Sequence, residues 1–334
     1  MFSKTDLVRV AGACVSSPVL SGLLSPFYRR RASIIYYHAV WRPRSAALSL
    51  FGGIDVDRFR EDMTILARHF KPVSLDNVLR FNAEEASTDE ALVAVTFDDG
   101  CDLTRCGAAD VLDEMGIPAT TFVVSSCVGN RHLMWQHKFS AIHHLRGEDL
   151  FVREFNRLAE TITPGSSIGR AAEQTARTCD WPMSRKDEYA DALWKACDMP
   201  PCDELLEEHR PYASWDELAE WQRRGHQVGL HTRTHPFCSR LSSTEIEAEI
   251  IKPARDLCDR LDLSSVPFAY PFGNRLPRTT EQELSASDRL TCLLGIDGLS
   301  TRGTPPCDLE RARAESGLDD SLFVRPLVRA LRGR

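Results

Sequence analysis

Three short polar segments contain the residue types that could perform chemistry, and each lies at the C-terminal end of a stretch that is predicted to form a β-strand. They are Thr96-Phe-Asp-Asp-Gly100, His231-Thr-Arg-Thr-His235 and Ala269-Tyr-Pro-Phe-Gly-Asn274. Adjacent carboxylates repel each other unless a cation or a shared proton lies between them. Two histidines four residues apart can face one ion, and with one carboxylate they make a metal set that leaves positions free for water and substrate. Alone, the aspartates could form a solvated turn and the histidines could lie on the surface; together they predict a metal site.

The elements that must position these segments alternate between strand and helix. Hydrophobic patterning predicts strands at Ala32–His38, Ala91–Phe97, Ala119–Val124, Gln227–Leu230, Phe268–Tyr270 and Leu290–Ile296. It predicts helices at Asp57–Phe70 and Ala108–Met115, from the capping box at Ser214 to Gly225, and from Ser242 to about Leu261. This order indicates an α/β protein with a parallel sheet, whose active site lies at the carboxyl ends of the strands. Residues 126–212 lack convincing strands and are predicted to form a helical insertion.

The composition excludes several classes of protein. The chain has 334 residues, of which 43% are hydrophobic and 27% charged, a mixture that is ordinary for a globular protein and too apolar for a disordered one. A net charge of -7 without a long basic tract argues against nucleic-acid binding. No run of about 18 uncharged apolar residues occurs, so no transmembrane helix is expected. The sequence carries no signal for an oligomeric state.

The cysteines and the chain ends bear on the cellular compartment. The eleven cysteines are an odd number without a Cys-x-x-Cys pair, so reduced thiols and a cytoplasmic location are expected. Residues 1–31 form a basic segment, with Lys4, Arg9 and Arg29-Arg30-Arg31 against Asp6, and residues 314–334 form a basic tail. Such ends can rest on the anionic inner face of a membrane. For the N-terminal segment a surface helix is the first expectation, and membrane contact is the alternative.

The three polar segments together resemble the signature of metal-dependent polysaccharide deacetylases, which form carbohydrate esterase family 4 and share the NodB-homology domain. The resemblance rests on Thr96-Phe-Asp-Asp-Gly100, His231-x-x-x-His235 and Phe268-Ala-Tyr-Pro-Phe-Gly273, and Ile35-Tyr-Tyr-His38 falls in family order. It implies a distorted (β/α) barrel with fewer than eight complete units. The catalytic domain is assigned to residues 32–313, including the insertion at about 126–212.

The resemblance also implies a reaction and a role for each residue. The reaction is hydrolysis of an N-acyl group, usually acetyl from N-acetylglucosamine. Asp98 would be the catalytic base, and Asp99, His231 and His235 would bind a divalent metal. The backbone N–H of Phe272 would help to hold the oxyanion. Two imidazoles and one carboxylate favour zinc, and cobalt, nickel or manganese fit the same ligands.

Two positions depart from the family pattern. The third motif often begins with an arginine that orients the catalytic aspartate, and this chain has Ala269 there, with Arg275 and Arg311 as candidate substitutes. The general acid is often a late histidine, and no histidine follows His235. Some members with a permuted order have an early strand that ends in Tyr-His and supplies the imidazole, which makes His38 the candidate acid. The alternative is a strand-end histidine satisfied by the backbone.

The resulting functional hypothesis is a metal-dependent hydrolase that removes N-acetyl groups from an N-acetylated sugar or glycan intermediate in cell-surface polysaccharide synthesis. The second hypothesis is a deformylase or another amidase of the same superfamily, which would use the same site to cleave a different amide bond. A degenerate domain that binds glycan without turnover is the third hypothesis. Within the insertion, Trp135 could stack on a sugar ring or anchor the insertion, whereas His137, His143 and His144 are expected to be surface or lid residues.

Overall fold

An eight-stranded parallel sheet organises the protein. The structure is a computed structural model that describes residues 32–85, 88–286, 288–298, 300, 303–318 and 322. The predicted basic segment 1–31 and most of the predicted tail lie outside these residues. The strands are β1 (Ala32–Tyr37), β2 (Val40–Trp41), β3 (Ile54–Asp55), β4 (Lys71–Pro72), β5 (Leu92–Phe97), β6 (Ala119–Val123), β7 (Gln227–Leu230), β8 (Val266–Ala269), β9 (Leu290–Leu294) and β10 (Ala312–Arg313).

Helices cover this sheet and fill the insertion. The α-helices are α1 (Ala46–Phe51), α2 (Val56–His69), α3 (Leu75–Asn82), α4 (Ala108–Glu114), α5 (Trp135–Arg146), α6 (Glu148–Ile162), α7 (Gln174–Thr178), α8 (Lys186–Ala196), α9 (Cys202–His209), α10 (Trp215–Arg223), α11 (Ser243–Ile246), α12 (Lys252–Leu261) and α13 (Arg278–Ser285). A π-helical segment, Glu247–Ile251, joins α11 to α12. Short 3-10 turns lie at Ala171–Glu173, Met183–Arg185, Cys238–Arg240, Pro271–Gly273 and Pro306–Asp308.

The strand order is β10-β1-β5-β6-β7-β8-β9, with β4 beside the start of β5, and β2 pairs with β3 separately. Every pairing within the large sheet is parallel. The sheet curls into an open barrel, and an isolated parallel bridge between Leu294 and Leu309 lies near its β9 edge. The predicted α/β class and barrel-type fold are therefore confirmed. Helices α5–α9 lie between β6 and β7, where the helical insertion is predicted, while the domain limits stay predictions.

Both faces of the central strands are buried, which explains their almost continuous apolar sequences. In β1, Ile34 packs in one apolar cluster with residues of β5, β6, β8 and β9, whereas Ile35 and Tyr37 pack in a second cluster under the helices. The first cluster fills the barrel interior. Alternate residues of each strand thus point into the barrel, so a residue just beyond a strand end can reach its mouth.

The element boundaries differ little from those predicted. β1 ends at Tyr37 rather than His38, and β9 ends at Leu294 rather than Ile296. The predicted helix from Ser242 to Leu261 contains the π-helical segment. Strands β2, β3, β4 and β10 are too short, at two residues each, to give a periodic signal. Among the described residues, no helix is both long and apolar enough to cross a membrane.

Candidate active site

The structure brings the six predicted site residues to one end of the barrel. Asp98 and Asp99 follow β5, and His231 and His235 follow β7. Phe272 follows β8, and His38 follows β1. β1 pairs with β5 so that Tyr37 lies opposite Phe97, which places His38 and Asp98 side by side as the next residue of each strand.

Asp99, His231 and His235 form a compact and buried cluster. Their potential ligand atoms all lie within 4.8 Å of one another. The Nε2 atoms of the two histidines are 3.2 Å apart, and Asp99 Oδ1 lies 3.7 Å from Nε2 of His231 and 3.4 Å from Nε2 of His235. These are the three residues predicted to bind a metal, and the structure brings them together.

Three further observations show that this cluster fits a divalent cation. Asp99 Oδ1 is buried without a hydrogen-bond partner, although carboxylate oxygens are costly to bury unpaired. His231 Nδ1 donates to the Ala269 carbonyl at 2.7 Å, so Nε2 keeps its lone pair and turns it towards Asp99. Burial lowers the pKa of both histidines, that of His235 well below its ordinary value. The neutral imidazole is the form in which histidine binds metals.

The loop that carries both histidines is held in an unusual conformation. Thr232 and His235 have positive φ angles of 66° and 61°, and Asp99 on the neighbouring loop has 67°. Left-handed backbone in residues other than glycine is costly and occurs where the surroundings impose it. Here Glu249, in the π-helical segment, accepts hydrogen bonds from the backbone N–H and the hydroxyl of Thr234, at 2.8 and 2.7 Å. The π-helical segment therefore clamps the middle of the loop.

Asp98 is paired with a buried arginine, Arg311. The guanidinium donates two hydrogen bonds to the carboxylate, at 2.6 and 2.8 Å, and lies between the rings of Tyr36 and Phe122. Burial alone would raise the pKa of Asp98, but the charge and hydrogen bonds of Arg311, together with His231 and His38, outweigh burial and lower the pKa. Asp98 is thus an ionised carboxylate and can accept a proton. Its Oδ2 lies 4.0 Å from His231 Nε2, beside the metal cluster.

Of the two candidate substitutes for the arginine missing at Ala269, Arg311 contacts Asp98 and Arg275 does not. Arg275 instead pairs with Glu281 and Glu310. Arg311 directly precedes β10, which pairs with β1 at the edge of the sheet, and this pairing brings it into the barrel.

His38 is held by Glu315, a residue that no sequence motif marks. Glu315 accepts a hydrogen bond from the His38 backbone N–H at 2.7 Å and lies 2.9 Å from His38 Nδ1. The His38 side chain is 33% exposed, whereas those of Asp98, Asp99, His231 and His235 are nearly covered. Nδ1 faces Glu315, which leaves Nε2 to face another partner.

Phe272 lies beside the histidine loop. Its ring stacks on Phe237 with a centroid separation of 4.1 Å and meets the His235 ring edge-on at 4.8 Å. Its φ of 58° turns the chain sharply after β8. The role of its backbone N–H stays a prediction.

Two insertion residues belong to the site surroundings. Trp135 is fully buried, and its indole N–H donates to the His235 carbonyl at 2.8 Å, so it anchors the insertion to the histidine loop. His137 is also buried, with Nε2 3.7 Å from Asp99 Oδ2, in contrast to the surface or lid position expected from the sequence. His143 and His144 are exposed. No sequence motif marks His137, since its approach to Asp99 depends on how α5 packs.

The comparisons with known proteins agree with this geometry. A family model described as polysaccharide deacetylase matches residues 85–288, more than half of the chain. No curated protein matches the sequence.

Solved structures of deacetylases share the fold. Streptococcus pyogenes deacetylase PplD in complex with acetate aligns with a TM-score of 0.56 at 16% identity, covering 88% of this chain and 97% of that one. IcaB from Ammonifex degensii aligns at 0.55 and 19%, covering 88% and 95%. A polysaccharide deacetylase from Bacillus cereus aligns at 0.51 and 14%, covering 90% and 69%. These identities show likeness of fold, and with the family match over residues 85–288 they lead to one conclusion: the chain belongs to the polysaccharide deacetylase family.

Proposed function

We propose that this protein is a metal-dependent N-deacetylase that hydrolyses the acetamide group of an N-acetylated sugar or glycan intermediate in cell-surface polysaccharide synthesis. The observation that carries the proposal is the juxtaposition of an ionised base with a metal-binding cluster. Asp98, held by Arg311, lies 4.0 Å from His231, which belongs to the cluster with Asp99 and His235. Family membership supports action on an N-acetylated glycan.

Asp99, His231 and His235 would hold the metal. The chemistry that a divalent metal supplies in such a site is Lewis acidity, which polarises a carbonyl and acidifies water. Zinc suits two neutral imidazoles and one carboxylate, and cobalt, nickel and manganese accept the same donors.

The remaining residues would move protons and hold charge. Asp98 accepts a proton from the water whose oxygen forms a bond to the acyl carbon, because Arg311 keeps its carboxylate ionised. The backbone N–H of Phe272 stabilises negative charge on the former carbonyl oxygen. His38 gives a proton to the nitrogen as the carbon–nitrogen bond breaks. The products are acetate and an amino sugar.

The test measures acetate release from N-acetylglucosamine oligosaccharides and from nucleotide-linked and lipid-linked N-acetylated sugars. It compares metal-free protein, protein reconstituted with zinc, and the Asp98→Asn variant. Reconstitution should restore acetate release, and Asp98→Asn should lower kcat by about a hundredfold or more while zinc still binds, because the variant lacks the base. Asp102→Asn is the control, since Asp102 is equally buried but pairs with Arg105.

Three results would contradict the proposal. Release of formate from the matching N-formylated sugars, without acetate release from the N-acetylated ones, would identify a deformylase. Tight zinc binding without acetate release from any substrate would indicate a domain that binds glycan without turnover. Acetate release that depends neither on zinc nor on Asp98 would show that the assigned site is not the active site.

A further inference from the structure

His137, on the first helix of the insertion, faces the oxygen of Asp99 that points away from the histidine pair. Asp99 Oδ1 faces His231 and His235, at 3.7 and 3.4 Å, and Oδ2 lies 3.7 Å from His137 Nε2. The side chains of Asp99 and His137 are each 7% exposed. A carboxylate at the barrel mouth is thus flanked on its second oxygen by a side chain from a different part of the fold.

The tautomer of the neutral His137 ring follows from the two groups that face its nitrogens. A carboxylate oxygen only accepts hydrogen bonds, so Nε2 faces Asp99 favourably only when it carries the hydrogen. The neutral ring then has a lone pair on Nδ1, which lies 2.6 Å from the Tyr212 hydroxyl. Tyr212 therefore donates to Nδ1 and fixes the tautomer that presents an N–H to Asp99.

Tyr212 is itself fixed by the other end of the insertion. Its hydroxyl accepts a hydrogen bond from the Met134 N–H at 3.1 Å, and its ring stacks on His137 with centroids 5.5 Å apart. Asn130 brackets its backbone, donating to the Tyr212 carbonyl at 2.8 Å and accepting from its N–H at 3.0 Å. Tyr212 is fully buried. The start and the end of the insertion are thus joined around the His137 ring.

We propose that His137 is a positioning residue for the metal site: its Nε2–H, oriented by Tyr212, faces Asp99 Oδ2 at 3.7 Å and favours, by charge–dipole attraction, the carboxylate orientation in which Oδ1 points at the two histidines. Residues that orient metal ligands in this way commonly change metal affinity by about 10- to 100-fold when they are removed. The insertion then has a chemical role in the site, since it supplies His137 as the partner of the metal ligand Asp99. This inference rests on the metal dependence proposed above.

The test measures zinc affinity rather than turnover. Full-length protein is stripped with a chelator, and its dissociation constant for zinc is determined by competition with a chromophoric chelator. His137→Leu and Tyr212→Phe should each weaken zinc binding by about 10- to 100-fold. His137→Gln should bind more tightly than His137→Leu, because its amide N–H can replace Nε2–H. His144→Leu, on the exposed part of the same helix, should bind like the wild type.

Thermal unfolding of the metal-free proteins shows whether each variant folds. If His137→Leu does not fold, Tyr212→Phe, which removes only a hydroxyl, still tests the inference. Wild-type zinc affinity in the folded variants would overturn the inference and leave the proposed function intact. Equal losses in His137→Gln and His137→Leu would also overturn it, since ring packing would then be the cause. Absence of zinc binding by the wild type would overturn the proposed metal dependence together with the inference.

Discussion

At the scale of single residues, the pair of His38 and Glu315 determines how the site should respond to pH. Burial lowers the pKa of His38, but the charge and hydrogen bond of Glu315, aided by Asp99 and Asp98, raise it to about 9. The pKa of Glu315 is depressed to about 2: burial would raise it, and His38 and then Arg313 outweigh that effect. The stabilisation from His38 is complete below pH 6.5 and is lost as the pH rises through 9. That from Glu315 is present above pH 4.5 and is lost as the pH falls through 2.

A protonated His38 at neutral pH suits a general acid, and this gives a prediction for Glu315→Gln. Without the carboxylate, the main group that raises it is gone, and the pKa of His38 should fall from about 9 towards its ordinary value of 6.5. The alkaline limb of the pH profile of kcat/KM should move to lower pH by the same amount, because His38 then loses its proton at a lower pH. The measurement is the pH dependence of kcat/KM for acetate release by the two proteins, followed from about pH 5 to about pH 10.

Glu114→Gln is the control for this shift, since Glu114 pairs with Arg60 on the surface. Its pH profile should match that of the wild type. An alkaline limb that stays in place in Glu315→Gln would show that His38 does not supply the proton.

At the scale of elements, the site depends on how closely β6 and β7 approach inside the barrel. Gly229 lies in β7, two residues before His231, and a Cβ atom there would come within 2.5 Å of the Phe122 ring and 2.7 Å of the Pro267 carbonyl. The Phe122 ring also covers one face of the Arg311 guanidinium. A side chain at residue 229 would therefore press on the arginine that holds Asp98.

Gly229→Ala should destabilise the protein by about 1–3 kcal/mol, as expected for overpacking a dense interior. It should also lower kcat, because the displaced Phe122 ring moves Arg311. Gly169→Ala is the matched control: residue 169 does not have a positive φ, and its nearest contact would be the end of the Glu173 side chain at 3.8 Å. Urea denaturation gives both stabilities. A Gly229→Ala variant as stable as Gly169→Ala would mean that β6 and β7 can separate without cost.

Sequence predicts these elements well where the pattern is local. β5, β7 and their polar ends are visible in the sequence because an apolar run stops at Asp-Asp-Gly or at His-x-x-x-His. Arg311 and Glu315 flank β10, which has two residues and pairs with a strand more than 270 residues earlier in the chain. No periodicity can reveal such an element. The expected surface or lid position of His137 is wrong for a related reason, because α5 presents it to Asp99 only after the insertion has packed.

At the scale of the whole molecule, charge is distributed unevenly along the sequence. The chain has a net charge of -7, yet residues 1–31 carry Lys4, Arg9 and Arg29-Arg30-Arg31 against Asp6. The net negative charge of the chain gives no general attraction to an anionic surface, so attraction would have to come from these local basic residues. Cytoplasmic location and peripheral membrane contact stay predictions, and binding to vesicles tests the second of them directly.

The full-length protein should bind vesicles that contain phosphatidylserine and should bind neutral phosphatidylcholine vesicles much more weakly. Each basic residue near an anionic surface contributes about 1 kcal/mol, so the triple variant Arg29→Gln, Arg30→Gln, Arg31→Gln should bind about a hundredfold more weakly. Raising the salt concentration should weaken wild-type binding, because the Debye length shortens to about 3 Å at 1 M. Arg153→Gln combined with Arg157→Gln removes exposed charges from α6 and should leave binding unchanged.

Equal co-sedimentation of the protein with both kinds of vesicle, or a triple variant that binds like the wild type, would contradict an electrostatic contact through residues 1–31. An enzyme that binds in this way would meet its glycan at the membrane surface, where lipid-linked sugars should then be better substrates than the corresponding free oligosaccharides.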